Sequence, residues 1–365
     1  MIPIAKPCIG EEEEKAVLEV LRSGILAKGP KAKEFEEKFA KFVGRNFGIS
    51  TSSGTAALHV ALLANKIGKG DEVIIPALSF FATASTVVFC RAKPIFVDVN
   101  PETYNLDVSK VEEAITPRTK AIVPVHMFGQ PVDMEPLIEI AEEHNLKLVE
   151  DACQSHGAEY DGKKVGSFGE ASCFSFYPTK NMVTGEGGMV LVDDQDLKLE
   201  CTLLRDHGEI THYEHVVLGY NLRMNEIAAA IGIEQLKKLP KFIERRRANA
   251  KMLSEGLAGL KGIQTPVVSD KGTHVYYQYI IRVGNEFPLS RDELVKYLNK
   301  KGIGARPSYP KPLAEQAILR TMGYGADCPV AREVLTKIME LPVHPLVSRD
   351  DITYIIDTVR EISRM

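Results

Sequence analysis

Runs of five or six mostly apolar residues recur along the first two-thirds of the chain: 72–76, Pro94–Val99, Ala121–Val125, Leu146–Asp151, Ala171–Phe176 and Gly188–Val192. They are rich in β-branched residues and nearly continuous in apolar character. That predicts strands buried on both faces of a mostly parallel sheet. Helical patterns lie between them. Thr55–Asn65 opens after the capping sequence Ser52-Ser53-Gly54, and Met134–His144 follows Asp133 with Met134, Leu137, Ile138 and Ala141 on one face. Strands alternating with helices of this length imply βαβ crossovers and a three-layer α/β/α arrangement. Further on, Glu226–Leu239 is an amphipathic helix that Pro240 is expected to stop, and a charged helical stretch runs from Phe242 to about Leu257. The chain then changes character, with a strand over Val275–Val283, a helix capped by Ser290 and a last helix from Asp350. These features divide the chain into a large domain over 1–240, whose first ten or so residues form an arm, and a smaller α+β domain over 241–365. There is no internal repeat and no low-complexity segment.

Length and composition narrow the class. A chain of 365 residues suits one large domain with a smaller one, and 44% hydrophobic with 26% charged residues is ordinary for a globular protein. No apolar run approaches the roughly 20 residues of a spanning helix, and the net charge of −4 argues against a nucleic-acid binder. The N-terminus lacks a basic-then-apolar leader pattern. Six scattered cysteines, Cys8, Cys90, Cys153, Cys173, Cys201 and Cys328, contain no CxxC pair. They read as reduced thiols, and the expected location is the cytoplasm.

Three features carry chemistry. Lys180 ends Phe174-Ser-Phe-Tyr-Pro-Thr-Lys, just after a strand and before the glycine-rich Thr184-Gly-Glu-Gly-Gly188. A lysine there can lose its proton and attack a carbonyl to form a Schiff base, although a lone loop lysine is commonly just solvated. Asp151 closes the strand Leu148-Val-Glu-Asp and points to the crevice where α/β sheets bind ligands. A carboxylate there can keep a pyridine nitrogen protonated, as pyridoxal 5′-phosphate (PLP) chemistry requires, or it can simply cap a helix. Ser52-Ser53-Gly54-Thr55 begins a helix whose free N–H groups suit a phosphate. Together the three are the parts of a PLP site.

With these residues in view, the chain resembles the DegT/DnrJ/EryC/StrS sugar aminotransferases, PLP-dependent enzymes of fold type I. The resemblance runs from Leu21-Arg-Ser-Gly24 to Leu341-Pro-Val-His-Pro345. It includes Ser53-Gly-Thr-Ala-Ala-Leu58, Gly70-Asp-Glu-Val-Ile-Ile-Pro76, Glu150-Asp-Ala152, His207-Gly208 and Gly219-Tyr-Asn-Leu-Arg-Met224. It implies a mostly parallel seven-stranded sheet in the large domain. It also implies that Lys180 forms the aldimine with PLP and shuttles protons, and that Asp151 pairs with the pyridine nitrogen. Gln154 would sit near the phenolic oxygen, and Gly54, Thr55 and Ser175 would hold the phosphate. Phe80 would stack on the ring, with Phe81 as the alternative. Asn221 would reach the phosphate of the neighbouring subunit, so a homodimer would share its active sites. The segments Ser175–Lys180 and Thr184–Gly188 look most like the C4-aminating, perosamine-synthase-like branch. The implied substrates are glutamate and a nucleotide-linked keto-6-deoxy sugar. One departure is Ala314 in Tyr309-Pro-Lys-Pro-Leu-Ala, where the family often has histidine, which leaves the sugar side open.

Other features weigh less. His207, His212 and His215 have spacings of five and three, which fit no helical ligand pair, and they fall in a loop. Arg245-Arg-Arg247 reads as a solvated helix face rather than a phosphate grip. His156 is equally a substrate contact or a structural hydrogen-bonding residue. The rivals are a dehydratase of the same family, which would need histidine where Lys180 stands, a regulatory protein on the same fold, and a lyase acting on amino acids. The last would use Arg306 for the substrate carboxylate.

Overall fold

The computed structural model describes residues 1–363. Seven strands form the main sheet: β1 (Phe47–Thr51), β2 (Glu72–Pro76), β3 (Lys93–Val97), β4 (Thr119–Ile122), β5 (Lys147–Asp151), β6 (Ala171–Ser175) and β7 (Gly188–Val192), in the order β1-β7-β6-β5-β4-β2-β3. All pair in parallel except β7, which runs antiparallel to both β1 and β6. β2, β6 and β7 are buried at every position, as expected of mostly apolar strands covered on both faces. β1 escaped the sequence pattern because Gly48, Ser50 and Thr51 interrupt its apolar character. Its pairing with β7 covers that gap.

Helices α1 (Glu11–Ser23), α2 (Pro30–Val43), α3 (Gly54–Ala64), α4 (Phe81–Phe89), α5 (Met134–Glu143) and α6 (Gln195–Arg205) flank the sheet. Buried Leu58, Ala61 and Leu62 of α3 pack with Val73, Val149 and Val190 on one face, and Phe35 and Phe39 of α2 pack with Phe174 and Phe176 on the other. The Ser53 hydroxyl accepts the Ala56 N–H at 3.1 Å, which is the expected cap of α3. Asp133 does not cap α5. Its carboxylate instead accepts the Tyr160 hydroxyl.

The expected stop at Pro240 does not occur. Helix α7 runs from Glu226 to Leu257 through that proline. An interior proline costs about 3 kcal/mol and a hydrogen bond. Burial of Leu239 and Phe242 on either side, together with packing against α1 and α2, outweighs that cost. The residues after α7 build a second, four-stranded sheet from β8 (Ile263–Gln264), β9 (Tyr279–Val283), β10 (Arg306–Pro307) and β11 (Ile338–Leu341), in the order β8-β9-β11-β10. The strand expected from Val275 thus begins only at Tyr279. Helix Arg291–Lys300 has the Ser290–Glu293 capping box, and the final helix is Arg349–Ile362. These elements enclose a separate apolar core that includes Leu253, Tyr279, Leu294, Met339 and Ile355. The N-terminal arm joins this part, since Ile2 exchanges backbone hydrogen bonds with Gly302 and Gly304.

Adjacent acids on β5 have opposite surroundings because successive side chains leave a strand on opposite faces. Fully buried Glu150 accepts the N–H groups of Gly166 and Phe168 at 2.6 and 2.8 Å and lies 3.0 Å from His126 Nε2. Burial works to raise its pKa, but His126, Arg45 and those N–H groups hold it below the ordinary value. Glu150 is structural, and Asp151 is left to face the crevice.

Candidate active site

A cavity of about 730 Å³ opens at the carboxyl ends of β5 and β6. Gly54, Thr55, Phe80, Asp151, Gln154, Ser175 and Lys180 all line it. Asn221 does not. It is exposed, and its backbone bridges to Asp206 at the base of the hairpin formed by Glu209–Thr211 and Glu214–His215. Phe81 is also absent from the wall, whereas Phe80 stands over it 60% exposed.

The first N–H groups of α3 enter the cavity at Gly54 and Thr55, where helix geometry leaves them without intrahelical partners. A Cβ on Gly54 would lie 2.6 Å from Ser175 Cβ and 3.1 Å from Cys153 Sγ, so only glycine leaves the space open. Gly188 serves the same corner, since a Cβ there would come within 2.3 Å of the Ser53 carbonyl. A small concavity lined by N–H donors and a hydroxyl at a helix start fits a phosphate.

Asp151 is buried, and both carboxylate oxygens are engaged. Oδ2 accepts the Thr83 hydroxyl at 2.8 Å and Oδ1 accepts the Cys153 N–H at 3.2 Å. Thr83 Oγ1 lies 2.8 Å from Ser79 Oγ. A carboxylate can only accept, so Thr83 spends its hydrogen on Asp151 and Ser79 must donate to Thr83. Gln154 Oε1 accepts the Phe128 N–H at 3.0 Å, and its Nε2 reaches the Tyr309 hydroxyl at 3.4 Å. Phe128 and Tyr309 hold left-handed backbone, φ 57° and 53°. That conformation is uncommon for bulky residues and fixes both rings beside the site.

Lys180 is half-buried, with Nζ 4.4 Å from the centre of the Tyr277 ring. Its loop is tied down at several points. Phe176 and Gly187 pair at 2.9 Å, Asn181 Nδ2 donates to the Val275 carbonyl at 3.1 Å, and Thr179 Oγ1 lies 3.0 Å from the Tyr277 hydroxyl. A lysine so held over an aromatic face can present its amine to a carbonyl in the cavity. The residues present fit PLP: a phosphate cradle, a pinned carboxylate, an exposed aromatic ring and an amine share one wall.

Several secondary expectations change. Arg246 is buried, not solvated: its Nη1 donates to the carbonyls of Tyr276 and Tyr277 at 2.9 and 3.2 Å, and burial lowers its pKa to about 10. Arg245 and Arg247 donate to the Val347 and His274 carbonyls, so this run ties α7 to the segments before β9 and before the final helix. His156 does not line the cavity. It packs among Phe39, Phe174 and Phe176 with neither ring nitrogen hydrogen-bonded, and burial, helped by the Lys180 charge, lowers its pKa to about 3. His207, His212 and His215 gather no metal cluster among the described residues. Tyr277, Gln278 and Ser308 join the wall from sequence-distant segments with no motif to announce them, and Tyr309 joins it from the start of the tyrosine-proline segment that carries the Ala314 departure.

The DegT/DnrJ/EryC1/StrS aminotransferase family model matches residues 7–360. The chain belongs to that family. It is 38% identical to the GDP-perosamine synthase of Caulobacter vibrioides, over 99% of this chain and 98% of that protein. It is 37% identical to a UDP-N-acetyl-3-dehydro-alpha-D-glucosamine 3-aminotransferase of Acidithiobacillus ferrooxidans, over 93% and 91%. Among solved structures, Spr1654 of Streptococcus pneumoniae in its PLP form superposes with a TM-score of 0.94 at 29% identity, covering 100% of this chain and 98% of that one. This family member is a PLP-dependent sugar aminotransferase with the expected α/β fold. No helix among the described residues is long and apolar enough to cross a membrane.

Proposed function

We propose that the enzyme transfers the amino group of L-glutamate to C4 of a nucleotide-linked keto-6-deoxy sugar, for amino-sugar and surface-polysaccharide biosynthesis, as a cytoplasmic homodimer. The observation that carries the reaction class is the convergence of Lys180, Asp151, Gly54 and Ser175 on one cavity. PLP, when bound, supplies an electron sink for the substrate carbon that carries the nitrogen. Lys180 Nζ would be the group that holds PLP and that takes and gives the proton at that carbon. The Asp151 carboxylate, held by Thr83 and the Cys153 N–H, would supply the counter-charge that keeps the ring nitrogen of PLP protonated. Gly54, Thr55 and Ser175 would hold the phosphate, Gln154 would sit at the phenolic edge, and Phe80 would cover the ring and exclude water.

C4 as acceptor rests on the likeness of Ser175–Lys180 and Thr184–Gly188 to the perosamine-synthase-like branch and on the GDP-perosamine synthase relative, and glutamate as donor rests on the family resemblance, in which it is the usual donor. The homodimer is supported by exposed large apolar side chains: Leu218 is 95% and Tyr213 80% exposed, Phe89 is exposed as well, and Tyr177 is exposed on the cavity wall. In that dimer, Asn221 of one subunit binds the phosphate held by the other.

The test is the absorption spectrum of the PLP-loaded protein before and after L-glutamate. Loss of the visible band in favour of a shorter-wavelength one supports transamination; Lys180→Ala should abolish both the band and turnover. A visible band that ignores glutamate overturns the donor assignment. Amination of 3-keto but not 4-keto nucleotide sugars overturns the position.

A further inference from the structure

Lys180 stands on the loop between β6 and β7, but the ring beside its amine comes from far along the chain. Tyr277 lines the cavity from the segment before β9, and Lys180 Nζ lies 4.4 Å from the centre of its ring. The Tyr277 hydroxyl lies 3.0 Å from Thr179 Oγ1, so one side chain meets two successive residues of the lysine loop. The next residue joins the same segment, since Asn181 Nδ2 donates to the Val275 carbonyl at 3.1 Å. That segment is itself braced. Tyr276 holds left-handed backbone, φ 46°, which is uncommon for an aromatic residue. Its N–H donates to His274 Nδ1 at 2.9 Å, and the two rings stack at 4.1 Å, within 5° of parallel. Buried Arg246 Nη1 gathers the carbonyls of Tyr276 and Tyr277 at 2.9 and 3.2 Å. From the other side, Val275 and Gln278 donate their N–H groups to the Gly129 and Phe128 carbonyls at 2.9 and 3.2 Å. A Cβ on Gly129 would lie 2.8 Å from the Tyr277 nitrogen, so glycine there lets the segment pass. Bracing of this kind fixes the place and tilt of one ring face.

We propose that Tyr277 is the positioning residue of Lys180, its ring face keeping the amine at the cavity wall while that amine moves its proton. The inference rests on the transferase reading, which gives Lys180 Nζ that duty. An aromatic face attracts a cation, so it holds the amine best while the amine carries the proton it must return. A lysine side chain otherwise spreads over many rotamers, and every rotamer out of reach is lost to the reaction. The Thr179 contact is the lesser part, because it restrains the neighbour of the lysine and not the amine itself.

The experiment compares wild type with Tyr277→Phe, Tyr277→Leu and Thr179→Val, each loaded with PLP. The first readout needs no amino donor: circular dichroism of the visible band, divided by its absorbance, reports how firmly the bound chromophore is oriented. The second is the single-turnover loss of that band over a series of L-glutamate concentrations. Tyr277→Leu is expected to lower the saturated rate roughly three- to thirtyfold, with half-saturation within about twofold of wild type. Its dichroism per unit absorbance should fall as well. Tyr277→Phe, which keeps the ring, and Thr179→Val should each stay within about threefold in rate and keep the dichroism. Tyr277→Met, which fills similar space without a ring, takes the place of the leucine variant if melting shows that one to be unfolded. A loss in Tyr277→Phe equal to that in Tyr277→Leu gives the effect to the hydroxyl and overturns the proposal. So does a raised half-saturation at an unchanged rate, which makes Tyr277 a substrate contact. A Tyr277→Leu enzyme within about twofold of wild type in both readouts overturns it too. A wild-type band that ignores glutamate overturns the transferase reading, and the dichroism of the leucine and phenylalanine variants then decides the proposal by itself.

Discussion

Thr83→Val isolates one hydrogen bond at nearly constant volume. The valine fills the space of Thr83, but the 2.8 Å donation to Asp151 Oδ2 disappears and Ser79 Oγ loses its acceptor. A hydrogen bond to a charged group contributes about 1.5–3 kcal/mol. At roughly 2–4 °C per kcal/mol for a large domain, the cofactor-free protein should melt about 3–12 °C lower. With Oδ2 released, the carboxylate must be immobilised again when PLP binds, at about 0.5–1.5 kcal/mol, so PLP affinity should fall roughly two- to tenfold. Calorimetric melting and spectrophotometric PLP titration measure the two effects. Thr83→Ser, which restores the hydroxyl, should recover both, and Ser79→Ala should do less harm because it removes a neutral bond of about 0.5–1.5 kcal/mol. If Thr83→Val melts within a degree of wild type, or Ser79→Ala is the more damaging, the inferred direction of the hydroxyl chain is wrong.

Gly54→Ala should lose PLP before it loses the fold, because its Cβ would lie 2.6 Å from Ser175 Cβ inside the cradle. Overpacking of about 1–3 kcal/mol in melting, with cofactor released on dialysis, is expected, and full PLP retention would argue against a phosphate there. Mixed dimers of Lys180→Ala with Asn221→Ala chains should regain part of the wild-type activity, measured against each parent, because one of the two shared sites is whole; no regain counts against a site shared between subunits. Acid should destabilise the protein from about pH 6.5 downward. Burial lowers His156 and His274 to about 3 and His344 to about 4, so the unfolded chain takes up protons that the folded one refuses. Melting temperature should therefore drop steadily toward pH 4, less steeply in His156→Leu, and a flat profile would contradict their neutral burial.

How much was legible in sequence follows from the range over which each feature is encoded. β2 and β7 announce themselves because they are buried at every position and nearly all apolar, and β5 and β6 because the apolar residues Leu148, Val149, Cys173 and Phe174 lie within short runs flanked by turn residues. β1 does not, because its polar residues are covered only through pairing with β7. Lys180, Asp151 and Gly54 were readable because each sits at a strand end or helix start with a local signature. Tyr277, Gln278 and Ser308 were not, because they reach the cavity through the docking of a second sheet far along the chain. Pro240 misled because its local cost is real but smaller than the packing that α7 gains on both sides. The arginine run 245–247 misled for a related reason: its partners are backbone carbonyls, which leave no trace in residue type.

The reversed strand β7 has a consequence for how the reactive amine is delivered. A parallel successor to β6 would oblige the chain to cross the sheet before returning, and such a crossover normally consumes a helix. Because β7 is antiparallel, Ser175 and Gly188 are direct partners, and the twelve residues between them leave and re-enter at the same sheet edge. Lys180 thus rides on a closed excursion anchored at both feet in the most buried strands of the sheet. Asp151 stands on the adjacent strand of that same rigid floor. Movement of the second sheet would leave both feet of the excursion in place and would reach the amine only through the contacts of Thr179, Lys180 and Asn181 with Tyr277 and Val275.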